Sequence, residues 1–343
     1  MSGILDGLPA AERRALRKRS FPAWTAPMLA TLTDEPFSDP DWIYEPKLDG
    51  VRLLVFKSGD TVRLYSRNRK ERSAAYAEVA EAFARMKGAA RDFVVDGEVI
   101  AFDGGVTSFA RLQERMGLQD AARARATRVA ITYYAFDLLY VAGHDVTRLP
   151  LKRRKALLRR ALAFGRRIRF TAHRNEHGER YFREACRGGL EGLIAKRADS
   201  PYVHQRSRDW LKLKCSRDQE FVIGGFTDPA GSRKGFGALL VGTYGRGALR
   251  YAGKVGTGFD DAMLERLRAR LDRLERDSPP FARGEDVPAR GVHWVTPRLV
   301  CEVAFTEWTG DGKLRHPRFK GLREDKDPKA VVRERPRRRS RGR

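Results

Sequence analysis

The chain has 343 residues, 69 of them Lys or Arg and 44 Asp or Glu, for a net charge of +25. That length predicts two domains, or three small ones, and the cation excess points to a polyanionic partner, although an Arg-rich composition from a GC-rich genome gives the same count. A hydrophobic share of 41% beside 33% charged residues excludes a disordered chain, and no apolar run approaches the ~20 residues of a membrane span.

The first twenty residues, MSGILDGLPAAERRALRKRS, lack an apolar core and a small-residue cleavage site, so no secretory signal is expected. They are read as an N-terminal extension. WIYEPKL, VRLLVFK and TVRLYS (42–66) predict a strand and a hairpin, with SGD turning between the last two. AAYAEVAEAFARMK (74–87) has helical periodicity, and SFARLQERM (108–116) predicts a helix capped by Ser108. DFVVDGEVIAF (92–102) is one long strand or a pair around Asp96-Gly97, and RVAITYYAFDLLYV (128–141) is an apolar strand. LKRRKALLRRALA predicts a basic amphipathic helix; His173 and His177 sit in a polar stretch that reads as a loop. ERYFREACRGG predicts a helix, and LEGLIAKR and DWLKLK predict strands.

The texture changes after Cys215. Closely spaced strands (EFVIGGFT, GALLVGTY, ALRYAGKV, RLVCEVAFTEWT) and one helix, DAMLERLRARLDRLER (261–276), suggest a small barrel of the OB type. A boundary near Ser216–Gln219 follows, giving domains at 21–216 and 217–330. The Arg-rich segment 331–343 is expected to be a disordered tail. Cys186, Cys215 and Cys301 are far apart, with no C-x-x-C pair. Each is expected to be a core filler in a reducing cytoplasm rather than a zinc or redox group.

The chemistry gathers around E-P-K-L-D-G (45–50). Strand alternation places Glu45 and Lys47 on one face, with Arg52 entering from the next strand. A lysine nucleophile needs its ordinary pKa of about 10.4 lowered by burial or nearby cations. Lys212 and Lys214, two apart on one strand, are expected to supply that field. Alone, K-x-D-G is weak, and a surface lysine before a turn explains it as well. With it come S-R-N (66–68), D-G-E (96–98), A-F-D-L-L-Y (135–140), E-G-L-I-A-K (191–196), W-L-K-L-K (210–214) and R-H-P-R-F-K-G-L-R-E-D-K (315–326). In this order, across roughly residues 20 to 328, the chain resembles the ATP-dependent DNA ligases, above all the ligase domain of bacterial end-joining ligases.

The resemblance implies an α+β fold: a nucleotidyltransferase (adenylation) domain of packed antiparallel sheets and helices, then an OB-fold β-barrel. It makes Lys47 the nucleophile that carries AMP. It places Glu45 and Phe136 in the adenine pocket, and Arg52 and Arg67 on ribose, phosphate or the DNA 5′-phosphate. Glu98 would meet the ribose or a metal, Glu191 a metal, and Lys196, Lys212 and Lys214 the phosphates. Glu191 and Lys196 are five apart, so one of them must lie at a strand end. Arg318, Arg323, Asp325 and Lys326, with Lys320, match the motif that closes over the nucleotide, and Lys254 is assigned to the DNA backbone. Carboxylate oxygens at Glu98 and Glu191 suit Mg²⁺ or Mn²⁺. The implied activity is sealing of 5′-phosphate/3′-hydroxyl nicks in duplex DNA with ATP, in double-strand-break repair. A monomer with a Ku-type end-binding partner is the implied setting. An RNA ligase, a capping-type nucleotidyltransferase and a non-catalytic DNA clamp are the alternatives.

Overall fold

Alternation along the strand Trp42–Pro46 sets the plan of the first half of the molecule. The structure is a computed structural model that describes residues 3–86, 90–103, 106–231, 233–282, 285–288 and 290–335. The chain divides into two compact units, one up to Cys215 and one from Ser216 to Arg335.

In the first unit, Trp42 and Tyr44 join Phe37, Leu193, Ala195, Leu211 and Leu213 in a core. The helix Gly178–Arg187 covers it with Tyr181, Phe182 and Ala185. Glu45 lies on the opposite face. The sheet runs Arg174–Asn175, Trp42–Pro46, Gly192–Arg197, Arg206–Lys214, Leu29–Thr33. Its register sets Glu45 opposite Ile194, and Ile194 opposite Lys212. Glu45, Lys196, Lys212 and Lys214 therefore share the face turned away from the helix.

A second sheet centres on Val51–Ser58, Phe93–Asp103 and Ile131–Val141. Leu53, Val55, Val95, Val99 and Tyr133 pack on one side with residues of the helices Ala77–Ala84 and Leu151–Ala161. On the other side Leu54, Phe56 and Val94 meet Trp210 of the first sheet and Met28, just before its strand Leu29–Thr33. The chain crosses between the sheets at Lys47–Gly50. A Cβ on Gly50 would lie 2.3 Å from the Val99 carbonyl oxygen, so the glycine of K-L-D-G is a steric requirement of this crossing.

Local periodicity located most elements and misjudged several ends. Phe93–Asp103 is one long strand. Ser108 caps Phe109–Gln113 by accepting from the Arg111 N–H. The two short helices Ala10–Ala15 and Ala121–Ala126 are additions, and the stretch after Thr171 contains the short strand Arg174–Asn175. The expected extension at 1–20 does not stand apart over its described residues: Ile4 and Leu8 enter the main core, and Arg17–Lys18 pair with His144–Asp145. Cys186 and Cys215 are not free fillers either. They form a disulfide with their Cα atoms 5.3 Å apart, because the sheet returns Cys215 beside the end of the Cys186 helix. Cys301 is free and buried.

In the second unit the strand Asp218–Thr227 pairs with Leu239–Gly245, Val292–Val295 and Val300–Ala304. Ala248–Val255 and Arg318–Leu322 extend the sheet. The helix Asp261–Asp272 buries Leu264, Leu267 and Leu271 in the core. It stops before Glu275–Arg276, which pair as a strand instead. The expected tail begins later than 331: Val331 is buried, and its carbonyl accepts from the Tyr244 N–H. Residues 336–343 lie outside the described residues.

Candidate nucleotide-binding site

A cleft in the first unit, with about 520 Å³ of open space, is lined by Glu45, Pro46, Lys47, Leu48, Arg52, Glu98, Phe136, Thr171, Ile194, Lys196 and Trp210, along with Ala30. Of the expected site residues it brings together Glu45, Lys47, Arg52, Glu98, Phe136 and Lys196. Lys212 and Lys214 stand on the same sheet face, beside Ile194 and Gly192 in register. Arg67 is half-buried in the turn after Thr61–Ser66 and is not among the lining residues.

Lys47 follows the last residue of its strand, and its backbone N–H donates to the Gly192 carbonyl. Its ammonium contacts the Glu191 carboxylate. Burial and nearby Lys214 press the Lys47 pKa down, but Glu191 and Glu98 outweigh them, and the net shift is upward. Lys214 thus acts in the expected direction without setting the net shift, and Lys212 is not among the largest contributors to it. Glu191 lies just before the strand Gly192–Arg197 and Lys196 lies within it, which settles the five-residue spacing. Gly192, at φ +150°, has its Cα so close to Leu213 that a Cβ would fall 1.9 Å from that carbonyl oxygen. The glycine of E-G-L-I-A-K thus lets Glu191 approach Lys47.

At the other end of the cleft, Glu45 is fully buried between two cations. Lys155 contacts Oε1, and Lys196 binds Oε2 at 2.6 Å. Burial would raise the Glu45 pKa; the two lysines overcome it and hold the carboxylate ionised. Lys196 also lies over the rings of Phe136, at 4.3 Å, and Trp210, at 4.0 Å. Lys196 thus stands with Glu45, Phe136 and Trp210 at this end of the cleft. Phe136 reaches the cleft because of a bulge: Asp96 pairs with Asp137 and Gly97 with Ala135, leaving Phe136 as the extra residue.

Arg52 is held by a fork to Asp96, with Nε to Oδ1 at 2.9 Å, and by the Met28 carbonyl at 2.6 Å. Tyr202 donates to the same Asp96 carboxylate at 2.6 Å. Sequence reasoning missed Asp96, Tyr202, Lys155 and Trp210 as partners. Asp96 stood in the quoted D-G-E, and its position two before Glu98 on a strand was the available signal.

In the second unit, the half-buried Arg323 pairs with Asp325 at 3.0 Å and Glu302 at 2.9 Å. Lys320 reaches Asp218 at 3.1 Å and Lys326 reaches Glu220 at 2.6 Å. Burial would lower the Arg323 pKa, but the two carboxylates raise it well above its usual value. The expected closing motif is thus tied into its own unit, while Arg318 and Lys254 are exposed.

A lysine against paired carboxylates, an aromatic-lined pocket and a separate OB-fold unit define a nucleotidyltransferase with a C-terminal OB domain. The family model described as "ATP dependent DNA ligase domain" matches residues 27–214, and "ATP dependent DNA ligase C terminal region" matches 232–326. The chain belongs to the ATP-dependent DNA ligases. "Multifunctional non-homologous end joining protein LigD" of Pseudomonas aeruginosa is 40% identical over 336 residues, 96% of this chain and 39% of that protein. Its counterpart in Mycobacterium bovis is 39% identical over 90% of this chain and 40% of that protein. The chain therefore spans about two fifths of the length of these relatives. A solved structure, "mycobacterial DNA ligase D complexed with ATP and MES", is 35% identical, covers 90% of this chain and 98% of that one, and superposes with a TM-score of 0.64.

Proposed function

We propose that this chain seals nicks in duplex DNA with ATP through an AMP covalently held on Lys47. The observation that carries this reading is the position of Lys47 in the cleft with its ammonium against Glu191, at the end away from the Glu45–Lys196 pocket. In the first step the Lys47 nitrogen, having lost its proton, attacks the α-phosphorus of ATP, and the bond to the bridging oxygen breaks to release pyrophosphate. The proton leaves to solvent, which requires Glu191 to let go of the ammonium it now contacts. The AMP then passes to a DNA 5′-phosphate, freeing Lys47. Finally the adjacent 3′-hydroxyl attacks that phosphorus and AMP leaves. Arg52, oriented by Asp96, and Arg67 are the cations proposed for the phosphates, with Lys212 and Lys214. The purine ring stacks on Phe136.

Glu98 and Glu191 would hold Mg²⁺ or Mn²⁺, since an oxygen-only pair beside the lysine suits a hard divalent cation. Such an ion offsets repulsion between the carboxylates and the triphosphate. Arg318, Arg323, Asp325 and Lys326 are proposed to act on the pyrophosphate, and for that Arg323 must exchange its present carboxylates for phosphate. Lys254 is proposed for the DNA backbone. By likeness to relatives named for non-homologous end joining, the setting is double-strand-break repair in the bacterial cytoplasm, with a Ku-type partner and a monomeric ligase. Among the described residues no helix is long and apolar enough to cross a membrane.

The test is incubation with α-labelled ATP and Mg²⁺, followed by denaturing electrophoresis. Label is expected on the wild type and absent, at least 100-fold down, from Lys47→Ala. An unlabelled wild type, or a labelled Lys47→Ala, overturns the reading.

A further inference from the structure

The pocket end of the cleft holds a polar group that neither the fold nor the proposed chemistry uses. Thr171 is 2% exposed and lines the cleft, yet its hydroxyl is buried with no hydrogen-bond partner. Trp210 Nε1, in the same lining, is in the same condition. Leaving such a group unmade costs about 1–3 kcal/mol, so two of them at one cleft mark a place where a polar ligand completes the bonding.

The surroundings say which ligand edge. Glu45 stays ionised between Lys155 and Lys196. An ionised carboxylate is acceptor-only and retains lone pairs after receiving two lysines. It therefore favours an amino group and repels a carbonyl. The backbone of Thr171 is fixed beside it: the Thr171 carbonyl accepts from Lys155 Nζ at 3.1 Å, and the Thr171 N–H donates to the Ala135 carbonyl at 2.8 Å. One ammonium thus ties the Thr171 segment to Glu45, next to Phe136. A hydroxyl oxygen keeps lone pairs, so the Thr171 hydroxyl can accept from an amino group held beside Glu45.

We infer that the Thr171 hydroxyl accepts a hydrogen bond from the 6-amino group of the purine, which the acceptor-only Glu45 beside it favours over a 6-oxo group. This rests on the nucleotide-transfer reading above. The experiment measures covalent labelling with ATP, with purine riboside triphosphate (which lacks the 6-amino group) and with GTP, for wild type, Thr171→Val and Thr171→Ser. Valine preserves the shape and removes the hydroxyl. Thr171→Val is expected to raise KM for ATP about five- to tenfold, the worth of one hydrogen bond, with the maximal labelling rate unchanged. KM for the analogue without the amino group should stay within twofold, and Thr171→Ser should restore KM for ATP. An equal change for both nucleotides, or no change for either, overturns the inference while leaving the ligase reading intact. A wild type that takes no label from ATP defeats that reading instead.

Discussion

Lys47 stands in this structure as a paired cation. The notion of a nucleophile kept neutral by neighbouring lysines does not describe it: Glu191 and Glu98 favour the ammonium more than burial and Lys214 oppose it. If Lys47 is the proposed nucleophile, the site stores it in a protonated pair, and releasing it requires that Glu191 be engaged elsewhere. His173 shows the opposite balance. Burial, with Lys155, Arg159 and Lys196 nearby and only Glu45 opposing them, lowers its pKa to about 4. Its Nδ1 is buried without a partner. A histidine with a depressed native pKa is neutral when folded, so its contribution is complete above pH 6.5 and is lost as pH falls toward 4. Thermal melts should therefore fall by a few degrees between pH 7 and pH 5. The same melts on His173→Gln should be flatter over that window, whereas equal slopes for the two proteins would count against this account.

At the scale of elements, the helix Leu151–Ala161 holds the first unit together around the site. Its sequence, LKRRKALLRR, reads as a solvated basic face, yet Arg154 and Lys155 are both buried. Arg154 forms a two-pronged pair with Asp137, at 2.8 and 2.9 Å, and neither side chain has exposed surface. That pair locks the residue next to Phe136, and Lys155 locks Glu45. Breaking a buried pair leaves one charge stranded. Asp137→Asn is accordingly expected to cost about 3–5 kcal/mol in denaturant unfolding; a loss below 1 kcal/mol would show that water reaches Arg154. These pairings also mark what could be read from the chain. Alternation put Glu45 beside Lys47, and ordered motifs named most of the cleft, because both signals are local. Lys155 meets Glu45 across 110 positions, the Phe136 bulge depends on register with Phe93–Asp103, and Cys186 meets Cys215 only after the sheet has formed. Nothing in the local pattern separates a buried, paired arginine from a solvated one.

For the molecule as a whole, net charge decides what the partner's backbone must supply. A chain with 69 cations against 44 anions retains a large excess even after its internal pairs are counted, since each pair consumes one of each sign. Backbone phosphates absorb such an excess without reading bases. Each phosphate neutralised releases counterions, which makes affinity fall steeply with salt. Binding of a fluorescent nicked duplex, followed by anisotropy, should weaken by about sixtyfold or more between 50 and 200 mM salt, a log–log slope of about −3 or steeper. Changing the sequence around the nick should leave the curve in place, because no contact proposed here distinguishes one base pair from another. Reversing single exposed cations tests which surface is used: Lys254→Glu should shallow the slope by about one if that strand follows the backbone. An unchanged slope would remove Lys254 from the DNA path while leaving the charge argument standing, whereas a flat salt response in the wild type would remove both.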